Sequence, residues 1–127
     1  MTLRQAMRWI RPGSASPQET RTRLLLVRDG LPEPRLNADL VTGQGWVAPV
    51  DLYWEEWRLA LDYDGRHHRE RARQLDYDLD RARLIRSAGF RFEQVTAKHL
   101  AGVNSQVLGI VREHLLDAGW RAATRSR

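Results

Sequence analysis

The sequence predicts a small α/β domain with a mixed sheet and helices on the faces of that sheet. Apolar residues alternate over 35–64, which is typical of strands, and recur every three to four residues over 70–88 and 104–118, which is typical of helices. A strand predicted at 90–95 follows a strand and a helix, so a parallel crossover is expected. The predicted order is helix, strand, hairpin of two strands, helix, strand, helix.

Length and composition fit one domain. The chain has 127 residues, of which 42% are hydrophobic and 29% charged, and it has no cysteine. One core is expected over the whole chain, with residues 1–15 as a lead-in and about 120–127 as a basic tail. A disulfide framework and a thiolate metal site are excluded. Neither a membrane span nor the apolar core of a signal peptide is found, so we expect a cytoplasmic location.

The charge favours an anionic partner. The net charge is +5, and a basic chain of this kind favours nucleic acid. Twenty of the 21 basic residues are arginine, a bias that a GC-rich genome also produces, and 16 acids make the charge mixed. An arginine-coated surface without a nucleic-acid partner is the alternative.

The first helix is predicted to begin at a capping box. Ser16 suits the N-cap and Glu19 suits position N3, while Gly30 suits the residue that follows the helix. Leu24 and Val27, with neighbouring leucines, are predicted to pack on the sheet.

The expected pairing of the second and third strands indicates where carboxylates meet. If the loop between these strands has four residues, Trp54 pairs with Leu59 and Asp51 lies opposite Asp62. Asp62 and Asp64 share one face of the third strand. Two directly opposed carboxylates have Cβ atoms about 4.5–5.5 Å apart and repel each other, and a cation between them resolves the repulsion. The residues predicted to share the apolar face of the second strand are Trp46, Ala48, Val50, Leu52 and Trp54.

Hard divalent cations such as Mg²⁺ or Mn²⁺ prefer the oxygen ligands of this region. Asp51 and Asp62, with Asp64 beside them and the backbone carbonyl of Tyr63, are the candidate ligands. A metal there would acidify a bound water and stabilise a phosphodiester under attack. The alternative is a set of strand-end acids in ion pairs with nearby arginines. A zinc site is disfavoured because cysteine is absent.

Other candidate side chains also have structural alternatives. His67 or His68, with His68 preferred, could activate water or protonate a leaving group, or the two could decorate a helix N-terminus. Glu19 could act on the metal or water if the first helix lies beside the hairpin, but the capping box already explains it. Asp78 and Arg81 are interpreted as an i,i+3 pair on the second long helix.

Four stretches of the chain, in order, resemble a known family. They are SPQETRTRLLLVRDGLPEPRLN, VDLYW, LALDYDGRHH and DLDRARLIRSAGFRFEQVTAKHL. Over roughly residues 16–101 the chain resembles an actinobacterial endonuclease-like domain of unknown function. That family is similar to the very-short-patch repair endonuclease and belongs to the PD-(D/E)xK restriction-endonuclease-like superfamily. The resemblance implies a restriction-endonuclease-like core of helix, three strands, helix and strand, and metal-dependent cleavage of DNA.

The resemblance also implies roles for single residues. Glu19 matches the acid of the first helix, Asp51 the aspartate of the PD half-motif, and Asp62 the family's usual glutamate, one methylene shorter. Asp64 stands where the superfamily has lysine, so a histidine or a second metal ion would have to replace that cation. His68 matches the histidine that follows the glycine of the family.

We therefore expect a DNA endonuclease that uses Mg²⁺ or Mn²⁺, in DNA repair or defence. Arg21, Arg23, Arg66 and Arg69 are expected to contact phosphates. The alternative is a catalytically inactive nuclease-fold module that binds nucleic acid or a protein, for example in a toxin–antitoxin or defence system. The short Asp62 and the missing lysine favour this alternative. No membrane partner is expected, and a homodimer is one option for an oligomeric state that stays open.

Overall fold

A four-stranded mixed sheet is the core of the computed structural model, which describes residues 17–66, 68–100 and 106–123. The strands are β1 (Arg35–Thr42), β2 (Gly45–Trp54), β3 (Leu59–Asp64) and β4 (Arg91–Thr96). Their order in the sheet is β1-β2-β3-β4. The first three are antiparallel neighbours, and β4 runs parallel to β3, as predicted for a strand that follows a strand and a helix.

Helices cover both faces of this sheet, which confirms the α/β class. They are α1 (Pro17–Arg28), α2 (His68–Arg73), α3 (Leu75–Ser87), α4 (Ala97–Leu100) and α5 (Gln106–Asp117). A 3-10 turn, Glu55–Trp57, joins β2 to β3. Within the part of the chain that the structure describes, no helix is long and apolar enough to cross a membrane.

Buried side chains form two clusters, one on each face. The first cluster joins the sheet to α1 and α5, and the second joins it to α3. The first cluster contains Leu26, Leu31, Leu52, Trp54, Leu59, Leu61, Val95, Val107, Val111, Leu115 and Trp120. The second contains Ala38, Leu40, Ala48, Val50, Tyr53, Ala60, Ile85, Phe90 and Phe92.

The buried face of β2 changes side at Asp51. Val50 belongs to the second cluster and Leu52 to the first, so the prediction of one continuous apolar face along this strand is wrong. At the same level of β1, Asn37 has a φ of 51°, in the left-handed region that asparagine tolerates better than most residues. Trp46, predicted on the apolar face, is 47% exposed. The irregularity therefore lies beside the first of the candidate carboxylates.

The apolar face predicted for α1 is largely exposed, and so is part of the apolar stripe of α3. Leu24 is 54% and Val27 40% exposed, and α1 packs instead through Leu26. On α3, Leu79 is 53% exposed, whereas Ile85 is fully buried. A run of apolar residues at nearly every position of a helix does not determine which of them faces the sheet.

Arg58 ties the β2–β3 turn to the end of α3. Its Nε donates to the carbonyl of Gly89 at 3.0 Å and its Nη2 to the carbonyl of Ala88 at 3.2 Å. Its guanidinium lies 4.3 Å from the ring centroid of Phe90. Carbonyls at a helix C-terminus lack intrahelical donors, so this side chain acts as their cap.

We expect Arg58→Ala to lower the free energy of unfolding by about 2 kcal/mol, because it removes the cap and the cation–π contact together. Urea denaturation measures the loss. The matched control is Arg35→Ala, which breaks a solvent-exposed ion pair with Glu55 and is expected to change stability by about 0–1 kcal/mol. Equal losses in the two variants would show that the cap contributes nothing.

Candidate functional site

The predicted hairpin register is confirmed. Trp54 pairs with Leu59 across a four-residue loop, and the pairing continues to Leu52 and Leu61. The next residues along the two strands are the two candidate carboxylates.

Carboxylate groups replace ladder hydrogen bonds beyond that point. The backbone N–H of Asp51 donates to Oδ1 of Asp62 at 2.9 Å, and the backbone N–H of Tyr63 donates to Oδ2 of Asp51 at 2.8 Å. The N–H and C=O of a strand residue point to the same side, so strand geometry places the Tyr63 carbonyl on the side of β3 that faces β2. The sequence thus folds two acids and one carbonyl into the junction where β2 and β3 stop pairing.

Arg81 reaches this junction from α3. Its Nη1 lies 2.6 Å from Oδ2 of Asp62, and its Nη2 donates to the carbonyl of Pro49 on β2. The guanidinium also lies 5.4 Å from the ring centroid of Phe92. The predicted pairing of Arg81 with Asp78 along the helix is therefore wrong, because Arg81 binds the sheet instead.

Asp64 forms an ion pair with a second arginine, Arg66. Arg66 donates to its two oxygens through Nε at 2.9 Å and Nη2 at 3.0 Å, and the Arg66 backbone N–H adds a third bond at 2.9 Å. The same Nη2 contacts Asp78 on α3. Arg71 in turn donates to the Arg66 carbonyl at 2.9 Å. The acid at position 64, where the resemblance implies lysine, thus holds an arginine at the end of β3.

Arg66 decides the ionisation of Asp64. Burial is the largest single influence and raises the pKa of Asp64, but the hydrogen bonds and charge of Arg66, with a smaller effect of Arg71, outweigh it. The pKa of Asp64 is therefore lowered from its ordinary value of 3.8. The hydrogen bond to Asp64 raises the pKa of Arg66 in return, so both groups stay charged at neutral pH.

This ionisation predicts a pH-dependent contribution to stability. Because the pKa of Asp64 is lower in the folded chain, its contribution is complete above the unfolded pKa and is lost as pH falls through the folded value. We expect Asp64→Asn to flatten the fall in unfolding free energy from about pH 5 to about pH 3. Denaturant titrations at several pH values measure this slope, with the exposed Asp80→Asn as the control. Parallel slopes for wild type and Asp64→Asn would rule out the effect.

Two ion-paired groups lie near the end of β3. In one, Asp62 pairs with Arg81 beside Asp51, and in the other, Asp64 and Asp78 both pair with Arg66. We call the two groups together the acid cluster. Its carboxylates belong to Asp51, Asp62, Asp64 and Asp78, and its guanidinium groups to Arg66 and Arg81.

The acid cluster offers carboxylate oxygens, which are the ligand type that Mg²⁺ prefers, but few of them are available to a metal ion. Within the described ranges, no group of three or more His, Cys, Asp or Glu residues is placed so that it could hold a metal ion. Both oxygens of Asp62 are already bonded, to the Asp51 N–H and to Arg81. Mg²⁺ commonly binds through one or two carboxylates and keeps several waters. Asp51 with the Tyr63 carbonyl is the donor set that fits this mode.

Glu19, His67 and His68 complete the set of predicted catalytic residues. Glu19 is buried on α1, a helix that packs through Leu26 on the face opposite α3. His68 is the first residue of α2. His67, the His68 side chain and the predicted N-cap Ser16 lie outside the described residues.

The four predicted phosphate-binding arginines fall into two groups. Arg21 on α1 and Arg69 on α2 are exposed. Arg23 lies 3.0 Å from Glu33 in an ion pair, and Arg66 belongs to the acid cluster. The exposed pair therefore has more freedom to meet phosphate.

The cleft beside the acid cluster was not anticipated from sequence. Its volume is about 510 Å³, and it lies between the helices α2 and α3 and the strand β4. Asp64, Asp78 and Arg71 line one part, and Leu79 and Phe92 provide apolar wall. Two leucines of α3 that line the cleft, Leu75 and Leu79, are each 53% exposed.

The chain was also compared with known proteins. No protein-family model, no curated protein and no solved structure matches it.

Proposed function

We propose that this protein is a metal-dependent endonuclease that hydrolyses phosphodiester bonds in DNA. The observation that carries the proposal is the Asp51 carboxylate, held by the Tyr63 N–H at the junction of β2 and β3 with Asp62 alongside. The element order also supports it: a helix, three antiparallel strands, the successive helices α2 and α3, and a parallel strand. The resemblance to PD-(D/E)xK nucleases implies this order with a single helix before the last strand.

Asp51 and the Tyr63 carbonyl would hold Mg²⁺ or Mn²⁺. The bound metal would supply an acidified water and would stabilise the charge of the phosphate under attack. Asp51 contributes a hard oxygen ligand whose orientation is fixed by the Tyr63 N–H. The carboxylate of Asp51 would attract the cation, and the cation would in turn offset its repulsion of the phosphate backbone.

Arg66 offers a cation near the position of the missing lysine. Asp64 and Asp78 anchor its guanidinium from two sides, and the group keeps partial exposure to solvent. Arg69, exposed three residues later, extends the positive charge along α2. His68 lies between them in sequence and is the proposed acid–base residue. Glu19 is the proposed further acid, acting from α1.

Conversion of supercoiled plasmid to nicked or linear DNA tests this function. We expect conversion with Mg²⁺ or Mn²⁺ and none with EDTA. DNA binding should weaken steeply between about 50 and 200 mM salt, because arginine–phosphate contacts release counterions. A purified, folded chain that cleaves neither single-stranded nor double-stranded DNA with either metal would contradict the proposal.

A catalytically inactive DNA-binding module is the second candidate. The ion pairs Asp62–Arg81 and Asp64–Arg66 favour it, because each neutralises a carboxylate without a metal ion. This candidate predicts DNA retention without cleavage and a melting temperature that metals do not change. A metal at about a hundredfold excess over its Kd would instead add about 2.7 kcal/mol to stability, so thermal unfolding with Mn²⁺ and with EDTA separates the two candidates.

A further inference from the structure

We infer that Asp62 and Arg81 form a positioning pair that fixes Asp51 and is complete without a metal ion. Asp62 is then not a ligand of the metal that the proposed function requires; this consequence rests on that function, whereas the pair itself does not. Three sets of contacts carry the inference.

Asp62 has both oxygens engaged inside the protein. Oδ1 accepts the Asp51 N–H at 2.9 Å, and Oδ2 lies 2.6 Å from Nη1 of Arg81. Only 6% of the Asp62 side chain is exposed. A divalent ion on this carboxylate would lie close to the guanidinium and would be repelled by it, with little water to screen the two charges.

Arg81 spans the two strands that meet at the junction. One nitrogen holds Asp62 on β3 and the other holds the carbonyl of Pro49 on β2, two residues before Asp51. The side chain is 11% exposed and lies against the Phe92 ring. A planar guanidinium presents two nitrogens in a fixed geometry, one for each contact, whereas an ammonium group has a single nitrogen.

Asp51 is held at its main chain by this pair and at its side chain by Tyr63. Its N–H is fixed by Asp62, the chain just before it is fixed through Pro49 by Arg81, and its Oδ2 accepts the Tyr63 N–H. Asp51 is half-buried, whereas Asp62 is buried. The more accessible carboxylate is thus the one that the network orients.

The test uses Arg81→Gln, Asp62→Asn and the double variant. Without metal, Arg81→Gln removes the guanidinium that pairs with the buried Asp62 carboxylate, and we expect the melting temperature to fall by about 10 °C or more. The double variant should regain most of that loss, because an asparagine can accept the Asp51 N–H and bond to a glutamine. Arg86→Gln is the control. Arg86 lies on the same helix and contacts the Phe92 carbonyl and ring. We expect Arg86→Gln to lower the melting temperature only slightly.

Amide hydrogen exchange gives a readout of position that overall stability does not provide. Protection of the Asp51 and Tyr63 amides, measured relative to β3–β4 amides, should fall in Arg81→Gln and return in the double variant. If Arg81→Gln does not fold, the measurement uses Arg81→Lys instead. This variant keeps the positive charge and loses one of the two contacts. Losses that simply add in the double variant, or amide protection that does not return, would overturn the inference.

The Mn²⁺-induced rise in melting temperature tests the consequence. The double variant should keep this rise, and Asp51→Asn should lose it. A stable double variant that loses the rise would show that Asp62 is a metal ligand and would overturn the inference. A wild type without any rise would instead count against the proposed function, while the metal-free stability and exchange measurements would still decide the positioning pair.

Discussion

Replacement of Asp51 by asparagine is expected to slow metal-dependent plasmid cleavage by about 10³-fold or more. A metal ion contributes several kcal/mol of transition-state stabilisation, and each 1.36 kcal/mol is about a tenfold change in rate. Asparagine keeps the size of the side chain, and its amide oxygen can still accept the Tyr63 N–H. The variant should therefore lose the charge to which the proposed function assigns metal binding, and it should keep the fold.

Asp80→Asn is the matched control for this prediction. Asp80 is exposed on α3, and the change removes the same charge from the same protein. We expect its cleavage rate to stay within about twofold of wild type, since surface substitutions seldom change stability by more than about 0.5 kcal/mol. A similar loss in both variants, or a loss of less than about tenfold in Asp51→Asn, would exclude Asp51 as the metal-binding carboxylate.

Replacement of Trp54 by alanine is expected to lower the free energy of unfolding by about 3–5 kcal/mol. Trp54 is 2% exposed in the first cluster, where it packs with residues of α1 and α5. Its Nε1 also donates to the carbonyl of Pro32 at 2.8 Å. The loss is a large fraction of the about 5–15 kcal/mol that stabilise a domain. Because Trp54 ends the strand that carries Asp51, the hairpin geometry depends on it.

Trp46→Ala is the control for the core prediction. Trp46 lies on the same strand, but it is 47% exposed and donates to Oδ1 of Asp39 at 3.1 Å near the surface. We expect a loss of about 1 kcal/mol, measured by urea or guanidinium denaturation. Trp54→Phe should fall between the two alanine variants. Comparable losses in Trp46→Ala and Trp54→Ala would contradict the assignment of Trp54 to the core.

The hairpin could be predicted from sequence because its determinants are local. Apolar alternation on each strand and a four-residue loop set the pairing of Trp54 with Leu59, and this register brings Asp51 next to Asp62. The parallel position of β4 followed from a general rule of chain connection. These two features place the candidate carboxylates between the two inner strands of the sheet.

The switch of faces at Asp51 and the partners of the carboxylates could not be predicted. A residue with left-handed backbone geometry, such as Asn37 on β1, changes which side of a strand is buried. The alternation of apolar and polar residues in the sequence does not show this change. Arg81 is 19 positions from Asp62 in the chain, and only the packing of α3 on the sheet brings them together. The i,i+3 spacing along the helix favoured an Asp78–Arg81 pair, because spacing within a helix gives no information on how α3 packs against the sheet.

Direct titration with Mn²⁺, followed by the electron paramagnetic resonance signal of the unbound ion, tests the metal site most directly. The proposed function predicts that wild type binds Mn²⁺, that Mg²⁺ competes for the same site, and that Asp51→Asn binds none at that site. A wild type that leaves all Mn²⁺ in solution, or an Asp51→Asn variant that binds it as tightly as wild type, would contradict the proposal that Asp51 holds a catalytic metal.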